Sequence, residues 1–312
     1  MLDRRTHLVR ACLASLLLVV SALAGGTLQA QGALVLQSDF GTRDGAVASM
    51  KGVAIGVAPA LRIFDLTHEI AAFDVWEAAY RLRQVASFWP RGTVFVSIVD
   101  PGVGTSRLAV VARLRGDRYV VTPDNGTLTL VAAEVEEVRE IDVTRQRLPG
   151  SERSHTFHGR DVFAYVGARL ANGQLRFEDV GPARGTAMVR LEVTPPRRDG
   201  ESITGMLAMI DRPFGNLWTN IPAAMLDSAG WTVGDTLSVL VSHLGNRRAF
   251  TTHAPLVASF GAVEVGQAVT YLNSLLELAV ALNQGSYAER FGVGAGPGWA
   301  VTVTRTGRST RR

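Results

Sequence analysis

The chain carries a single cysteine, Cys12, and a single lysine, Lys51. With one cysteine no intrachain disulfide framework and no thiolate metal site can form, so the core alone must stabilise the fold. GxGxxG and GxxxxGK[ST] are absent, which removes a conventional dinucleotide or P-loop site. HExxH and HxH spacings are also missing, so nothing marks three convergent metal ligands and no metal is expected. The formal charge of +4 is almost wholly arginine and leans on Arg305, Arg308, Arg311 and Arg312 at the end of the chain. Without that tail the body is near neutral, and no nucleic-acid partner is expected.

A composition of 47% apolar and 19% charged residues supports a sizeable core and excludes disorder. At the N-terminus, Arg4, Arg5 and Arg10 precede an apolar run from Ala11 to Ala24, then Gly25-Gly26. This is a secretory signal pattern, with cleavage after Ala22-Leu23-Ala24, or alternatively at Ala30. It predicts a periplasmic or secreted protein with no stable membrane insertion after cleavage. An uncleaved anchor is the second choice, because the run is short for a membrane span.

After the signal segment (1–30), strand-like and helix-like patterns alternate. Strands are expected at Leu34–Leu36, Leu61–Leu66 and Thr93–Val99. Helices are expected at 45–58, ended by Pro59, at Val75–Trp89, ended by Pro90, and at Phe163–Leu170. Leu108–Leu114 and Arg118–Val121 read as a hairpin. This rhythm predicts an α/β domain over 32–194 with a mostly parallel sheet. Pro195-Pro196-Arg197-Arg198-Asp199-Gly200 reads as part of a linker, 195–202. Short β runs follow at Ile203–Ile210, Thr236–Val241, Val269–Leu272 and Ala300–Val303, which suit a smaller all-β, barrel-like domain over 203–304, then a basic tail, 305–312. Leu276–Asn283 fits a strand or a short helix.

The candidate chemistry clusters at strand ends. Asp39 and Asp44 follow the first strand, where α/β folds place ligands; they suit a diol or an ammonium group, or else a helix cap and a turn. His68 reads as a ligand or as a hydrogen-bonded core histidine. Pro123-Asp124-Asn125-Gly126 reads as a turn. Asp100 and Arg107 flank a glycine-rich loop after the third strand, and His158 sits in Thr156-Phe157-His158-Gly159-Arg160-Asp161. Together they supply a base, a fixed positive charge and an orienter, the set needed to hold and activate water. The run from Ile210 to Ile221 interleaves Asp211, Asn216 and Asn220 with Phe214 and Trp218. That suits stacking and edge recognition of a planar heterocycle, or a hairpin with core aromatics.

Taken together, SDFGTRD, MKGV, DLTHEI, VDPGVGTSR, PDNG, TFHGRD, IDRPFGNLWTNI and YLNS resemble the S-adenosyl-L-methionine hydroxide adenosyltransferases. That is the hydrolase branch of the family that includes the fluorinase and chlorinase. The resemblance implies a homotrimer with active sites between one subunit's N-domain and its neighbour's C-domain. It also implies cofactor-free displacement at ribose C5′ by water, giving adenosine and L-methionine. By position it assigns Asp100, Arg107 and His158 to water activation and Asp39 to the ribose hydroxyls. Asp44 joins the substrate-binding set, and Phe73 takes the place of an aromatic wall. Asp211 and Ser274 fall to the amino-acid end; Phe214, Asn216 and backbone groups of Leu282 and Gln284 fall to adenine. Halogenases resemble a version with Tyr at 100 and Tyr-Ser at 158–159, and a carboxylate at 100 repels an anion. The chain departs from its relatives at Leu275 and Leu276, where halogenases carry Arg-Gly. It departs again at Ala279, where hydrolases commonly carry Glu, with Glu277 two residues away. An exported nucleoside or S-adenosylmethionine binder without turnover, and a halogenase, are the alternatives to a hydrolase.

Overall fold

The structure, a computed structural model, describes residues 32–245 and 249–308. The signal segment and the last four residues of the basic tail lie outside the described residues. Among the described residues no helix is long and apolar enough to cross a membrane.

Six strands build the first sheet: β1 (Ala33–Ser38), β2 (Arg62–Thr67), β3 (Val94–Ile98), β4 (Ala109–Leu114), β5 (Arg118–Pro123) and β6 (Val135–Glu140). Their order is β2-β1-β3-β5-β4-β6. The four strands β2, β1, β3 and β5 pair in parallel, while β4 runs antiparallel to both β5 and β6. The sheet is thus mostly parallel, and its antiparallel β4–β5 pair is the expected hairpin. β1 and β3 are buried along their whole length, as central strands covered on both faces must be. Alternation divides their side chains. Leu34, Leu36, Val94, Val96 and Ile98 pack with Val47, Met50 and Ala54 of helix α1 (Ala46–Val57) and with Phe163 and Val166. Val35 and Phe95 face the other way, onto Leu82 and Ala86 of helix α2 (Val75–Ala86).

Helix α2 begins where the Asp74 carboxylate accepts the Glu77 N–H at 2.8 Å, a side-chain cap. It stops three residues before the expected end at Trp89. Phe88 N–H and Trp89 N–H turn back to Val85 and Ala86 carbonyls, which frees the Trp89 ring to pack edge-on against Phe64 and Phe95. The expected helix at Phe163–Leu170 is preceded by a wide π turn, Gly159–Ala164, leading into α3 (Tyr165–Ala171).

The second sheet contains β7 (Arg197–Asp199), β8 (Ser202–Asp211), β9 (Asn216–Pro222), β10 (Thr236–His243), β11 (Ala249–Pro255), β12 (Ala268–Leu272), β13 (Glu277–Leu282) and β14 (Trp299–Gly307). The order β11-β10-β14-β8-β9-β13-β12 curls nearly shut, because Val257 N–H donates to the Thr270 carbonyl at 2.9 Å. Ile203, Leu217, Leu237, Val239, Val280 and Val301 fill the interior. Two details depart from the sequence reading: Arg197–Asp199 of the expected linker forms β7 against β8, and Arg305–Gly307 of the expected tail continue β14 against β10. Of the two readings of Leu276–Asn283, the strand holds, as β13.

Helix α2 also docks the barrel onto the first domain. Trp76 and Tyr80 join Met206, Ala208, Met209, Trp218 and Ala279 in one apolar cluster, and Trp76 Nε1 donates to the Ala208 carbonyl at 2.7 Å. Glu77, 2% exposed, accepts from Arg81 of its own helix and from Arg212 of the barrel at 2.6 Å. Burial pushes the Glu77 carboxyl up, and the hydrogen bonds and charges of Arg212 and Arg81 outweigh it and hold it below its ordinary value. Arg83 forks onto buried Glu277 at 2.8 and 3.2 Å. Trp76→Ala removes a buried aromatic at this junction and is expected to cost about 3–5 kcal/mol, read from denaturant unfolding with the slope unchanged.

Candidate active site

Asp39 follows β1, and its Oδ2 accepts the Phe73 N–H at 2.9 Å. Phe73 sits at φ +68°, a left-handed conformation a bulky residue adopts only under constraint, with its side chain 70% exposed. Asp100 follows β3, whose end is held by the Asn125 amide donating to the Val99 carbonyl at 2.7 Å. The Pro123–Gly126 turn thus has a task beyond reversing the chain. Arg107 Nε donates to Asp100 Oδ1 at 2.8 Å and Oδ2 at 3.1 Å, while its Nη2 donates to Oδ2 and to His158 Nδ1, the latter at 3.1 Å. Arg107 also lies over the Phe163 ring, 5.2 Å from its centre. Asp39, Phe73, Asp100 and His158 line one cavity of about 570 Å³, with Phe40, Val103 and Phe157 among its other walls.

The Arg107 contact fixes the His158 tautomer. A guanidinium only donates, so Nδ1 is the acceptor and the ring hydrogen sits on Nε2. Nε2 is buried and finds no hydrogen-bond partner among the described residues. Burial, followed by the charges of Arg107 and Arg147, lowers the His158 pKa below 6.5, so the ring is neutral at pH 7.

Asp211, Phe214, Asn216, Ser274, Leu282 and Gln284 line a second cavity of about 710 Å³ on the barrel. Asn216 Nδ2 donates to Asp211 Oδ2 at 3.3 Å. Burial, opposed by the Asn216 hydrogen bond, raises the Asp211 pKa. The turn between β8 and β9 requires Gly215, at φ +67°, because a Cβ there would stand 1.9 Å from Ser286 Oγ. Trp218, Phe260, Tyr271, Asn273 and Glu289 share the lining. Trp218 was visible in the aromatic run and Tyr271 and Asn273 in YLNS; Phe260 had no sequence signal.

The two cavities share no lining residue, so the expected site residues fall into two groups within one chain. Asp44 joins neither: it is exposed, and its Oδ1 accepts the Ala46 N–H at 2.9 Å at the start of α1. His68 is no ligand, since both ring nitrogens are taken, by Ser38 at 2.7 Å and by Asp65 at 3.1 Å. Glu277 lies in neither cavity lining. It faces Arg83 at the domain junction, and Ala279 is buried against Trp218. Leu276 takes φ +58°, a left-handed conformation, and is 65% exposed.

The chain matches the SAM hydroxide adenosyltransferase N-terminal domain over residues 34–181 and the C-terminal domain of the same name over residues 205–300. It belongs to the SAM hydroxide adenosyltransferase family. An (R)-S-adenosyl-L-methionine hydrolase from Salinispora tropica is 35% identical over 268 residues, covering 85% of this chain and 96% of that protein. A fluorinase from Actinoplanes sp. is 31% identical over 297 residues, covering 87% and 97%. The crystal structure of an uncharacterized conserved protein from Thermotoga maritima superposes with a TM-score of 0.78 at 34% identity, over 87% of this chain and all of that one.

The His158 shift sets its sign on pH dependence. With the folded value below the ordinary one, the full stability is present above 6.5 and is lost as pH falls from 6.5 through the folded value, because over that range the unfolded chain binds a proton that the folded ring refuses. NMR titration of the His158 ring is expected to show the Nε2–H form with a midpoint below 6.5, moving upward in Arg107→Gln.

Proposed function

We propose that this chain is an enzyme that hydrolyses S-adenosyl-L-methionine to adenosine and L-methionine, with Asp100, Arg107 and His158 presenting the water. The observation that carries this reading is the hydrogen-bonded Asp100–Arg107–His158 cluster, two of whose members, Asp100 and His158, line the same cavity as Asp39 and Phe73. A water molecule there donates one hydrogen to the Asp100 carboxylate and accepts from His158 Nε2–H, which leaves a lone pair for ribose C5′. The O–C5′ bond forms as the C5′–S bond breaks, and its electron pair stays on sulfur as neutral methionine. The water proton passes to Asp100 and then to solvent. A sulfonium needs no protonation to leave, so the work is alignment and base assistance, typically about 10²–10⁴-fold for the latter. Arg107 holds the carboxylate oriented and balances its charge. The scheme uses no cofactor and no metal.

Asp39 grips the ribose hydroxyls in this reading, while Asp211, Phe214, Asn216, Ser274, Leu282 and Gln284 bind the adenine and amino-acid ends. Because these groups line separate cavities of one chain, the complete site forms where one subunit's first domain meets a neighbour's barrel, in a homotrimer. The relative's name specifies the (R) sulfonium epimer, and we extend that preference to this chain. The Arg-led apolar segment at 4–24 supports export through a signal peptide, which would place the enzyme in the periplasm or outside the cell.

Chromatography of the enzyme with (R)- and (S)-S-adenosyl-L-methionine is expected to show adenosine and methionine in equal amounts, faster from (R). Neither chloride nor fluoride should divert product, since Asp100 repels halide, and EDTA should leave the rate unchanged. Asp100→Ala and His158→Ala should abolish turnover while retaining adenosine binding; full turnover in either overturns the assignment, and adenosine binding without turnover in the parent enzyme favours a binding protein. Mixing inactive Asp100→Ala with inactive Asn216→Ala subunits should restore activity, because some mixed interfaces pair an intact first domain with an intact barrel. Activity that stays absent in verified mixed oligomers would place both halves within one subunit.

A further inference from the structure

Three residues of the sequence motifs have no part in the chemistry above: Lys51 of MKGV, and Asp65 and His68 of DLTHEI. They form one directional chain of hydrogen bonds that ends beside Asp39. The Asp65 carboxylate can only accept, so His68 Nε2 carries the hydrogen that goes to Asp65 Oδ1 at 3.1 Å. In the neutral ring Nδ1 then accepts the Ser38 hydroxyl hydrogen at 2.7 Å, while Ser38 Oγ also accepts the Phe40 N–H at 3.3 Å. Lys51 Nζ donates to the other oxygen, Oδ2, at 2.6 Å. The His68 carbonyl meanwhile accepts the Gly41 N–H at 2.7 Å. One histidine thus holds both ends of the turn Ser38–Gly41, and Asp39 projects from the middle of that turn into the cavity.

The order Ser–His–Asp resembles a nucleophilic triad, but Ser38 is 0% exposed and its hydrogen is committed to His68. It cannot meet a substrate. We propose instead that His68, braced by Asp65 and Lys51, is the positioning residue that keeps Asp39 where it grips the ribose hydroxyls. The inference rests on the ribose role given to Asp39 above.

Lys51 supplies a second strand of support. It is the one lysine in a chain whose other basic side chains are all arginine. An ammonium is a point donor that occupies Oδ2 and leaves Oδ1 to His68. A guanidinium at the same place would fork across both oxygens and displace the His68 contact. The position therefore needs a lysine for its shape as well as its charge.

The test is calorimetric binding of adenosine and 2′,3′-dideoxyadenosine to the full-length protein. The parent protein should prefer adenosine by roughly 10- to 100-fold, as hydrogen bonds to a charged carboxylate allow. Ser38→Ala, His68→Ala and Lys51→Arg should lose most of that preference by weakening adenosine alone, with dideoxyadenosine affinity unchanged. His68→Asn keeps an acceptor near the Nδ1 position and should retain more of the preference than His68→Ala. If the variants keep the full preference, or if both nucleosides weaken together, His68 has no positioning role. Should His68→Ala fail to fold, Ser38→Ala and Lys51→Arg decide the matter. A parent protein that binds adenosine without preferring it over the dideoxy form overturns the ribose role of Asp39 and this proposal with it. One that binds neither nucleoside overturns the functional reading itself.

Discussion

The architecture turns on a carboxylate that has been taken out of water between two domains. Glu77 is buried on α2, and removing its partners would leave an uncompensated charge, one of the costliest defects a fold can carry. Arg81 from the same helix and Arg212 from the β8–β9 turn satisfy it together. That shared requirement ties the barrel turn carrying Asp211 and Phe214 to the helix that covers the back of the first sheet. The Trp76 and Arg83 contacts repeat the coupling along the same helix. Within the chain the turn that borders the barrel cavity is thereby tied to α2, while Asp100 and His158 line the other cavity with Asp39 and Phe73.

Much of the first domain was legible because its physics is local. The continuous apolar run Leu34-Val35-Leu36 and the one-sided spacing of Val47, Met50 and Ala54 are set by which atoms avoid water, and the domain obeys them. The end of α2 was not legible, since Trp89 leaves the helix to reach Phe64 and Phe95, partners distant in sequence. β13 was ambiguous for the same reason: an apolar run rich in Ala and Leu becomes a strand only because β9 and β12 stand on either side to receive its hydrogen bonds. β7 was hidden inside a Pro- and Arg-rich stretch that reads as linker by composition.

Asp100, Arg107 and His158 were legible as residue types beside glycines and as positions in a family pattern, and the chain brings them into contact. The division of the substrate-binding residues between two cavities follows from domain packing, which leaves no trace in spacing. Glu277 shows the limit most sharply. Its place in the sequence does not reveal its partner, and β-strand geometry and Arg83 direct it to the domain junction. Asp44 and His68 carried two readings each. The structure gives Asp44 to the start of a helix and His68 to a buried network, outcomes decided by neighbours that residue type cannot reveal.

The barrel does not close with a full ladder. β11 and β12 meet through the Leu256–Thr270 bridge and the Thr270 hydroxyl on the Pro255 carbonyl, whereas neighbouring strands elsewhere are zipped over several residues. Local opening costs least where the fewest backbone bonds must break together. Phe260 and Tyr271, whose rings meet at 4.8 Å, border this seam and also wall the larger cavity. Amide exchange with solvent will therefore be fastest in the barrel along the seam, and a molecule seated in that cavity against those rings will slow it, making the seam a built-in reporter of occupancy.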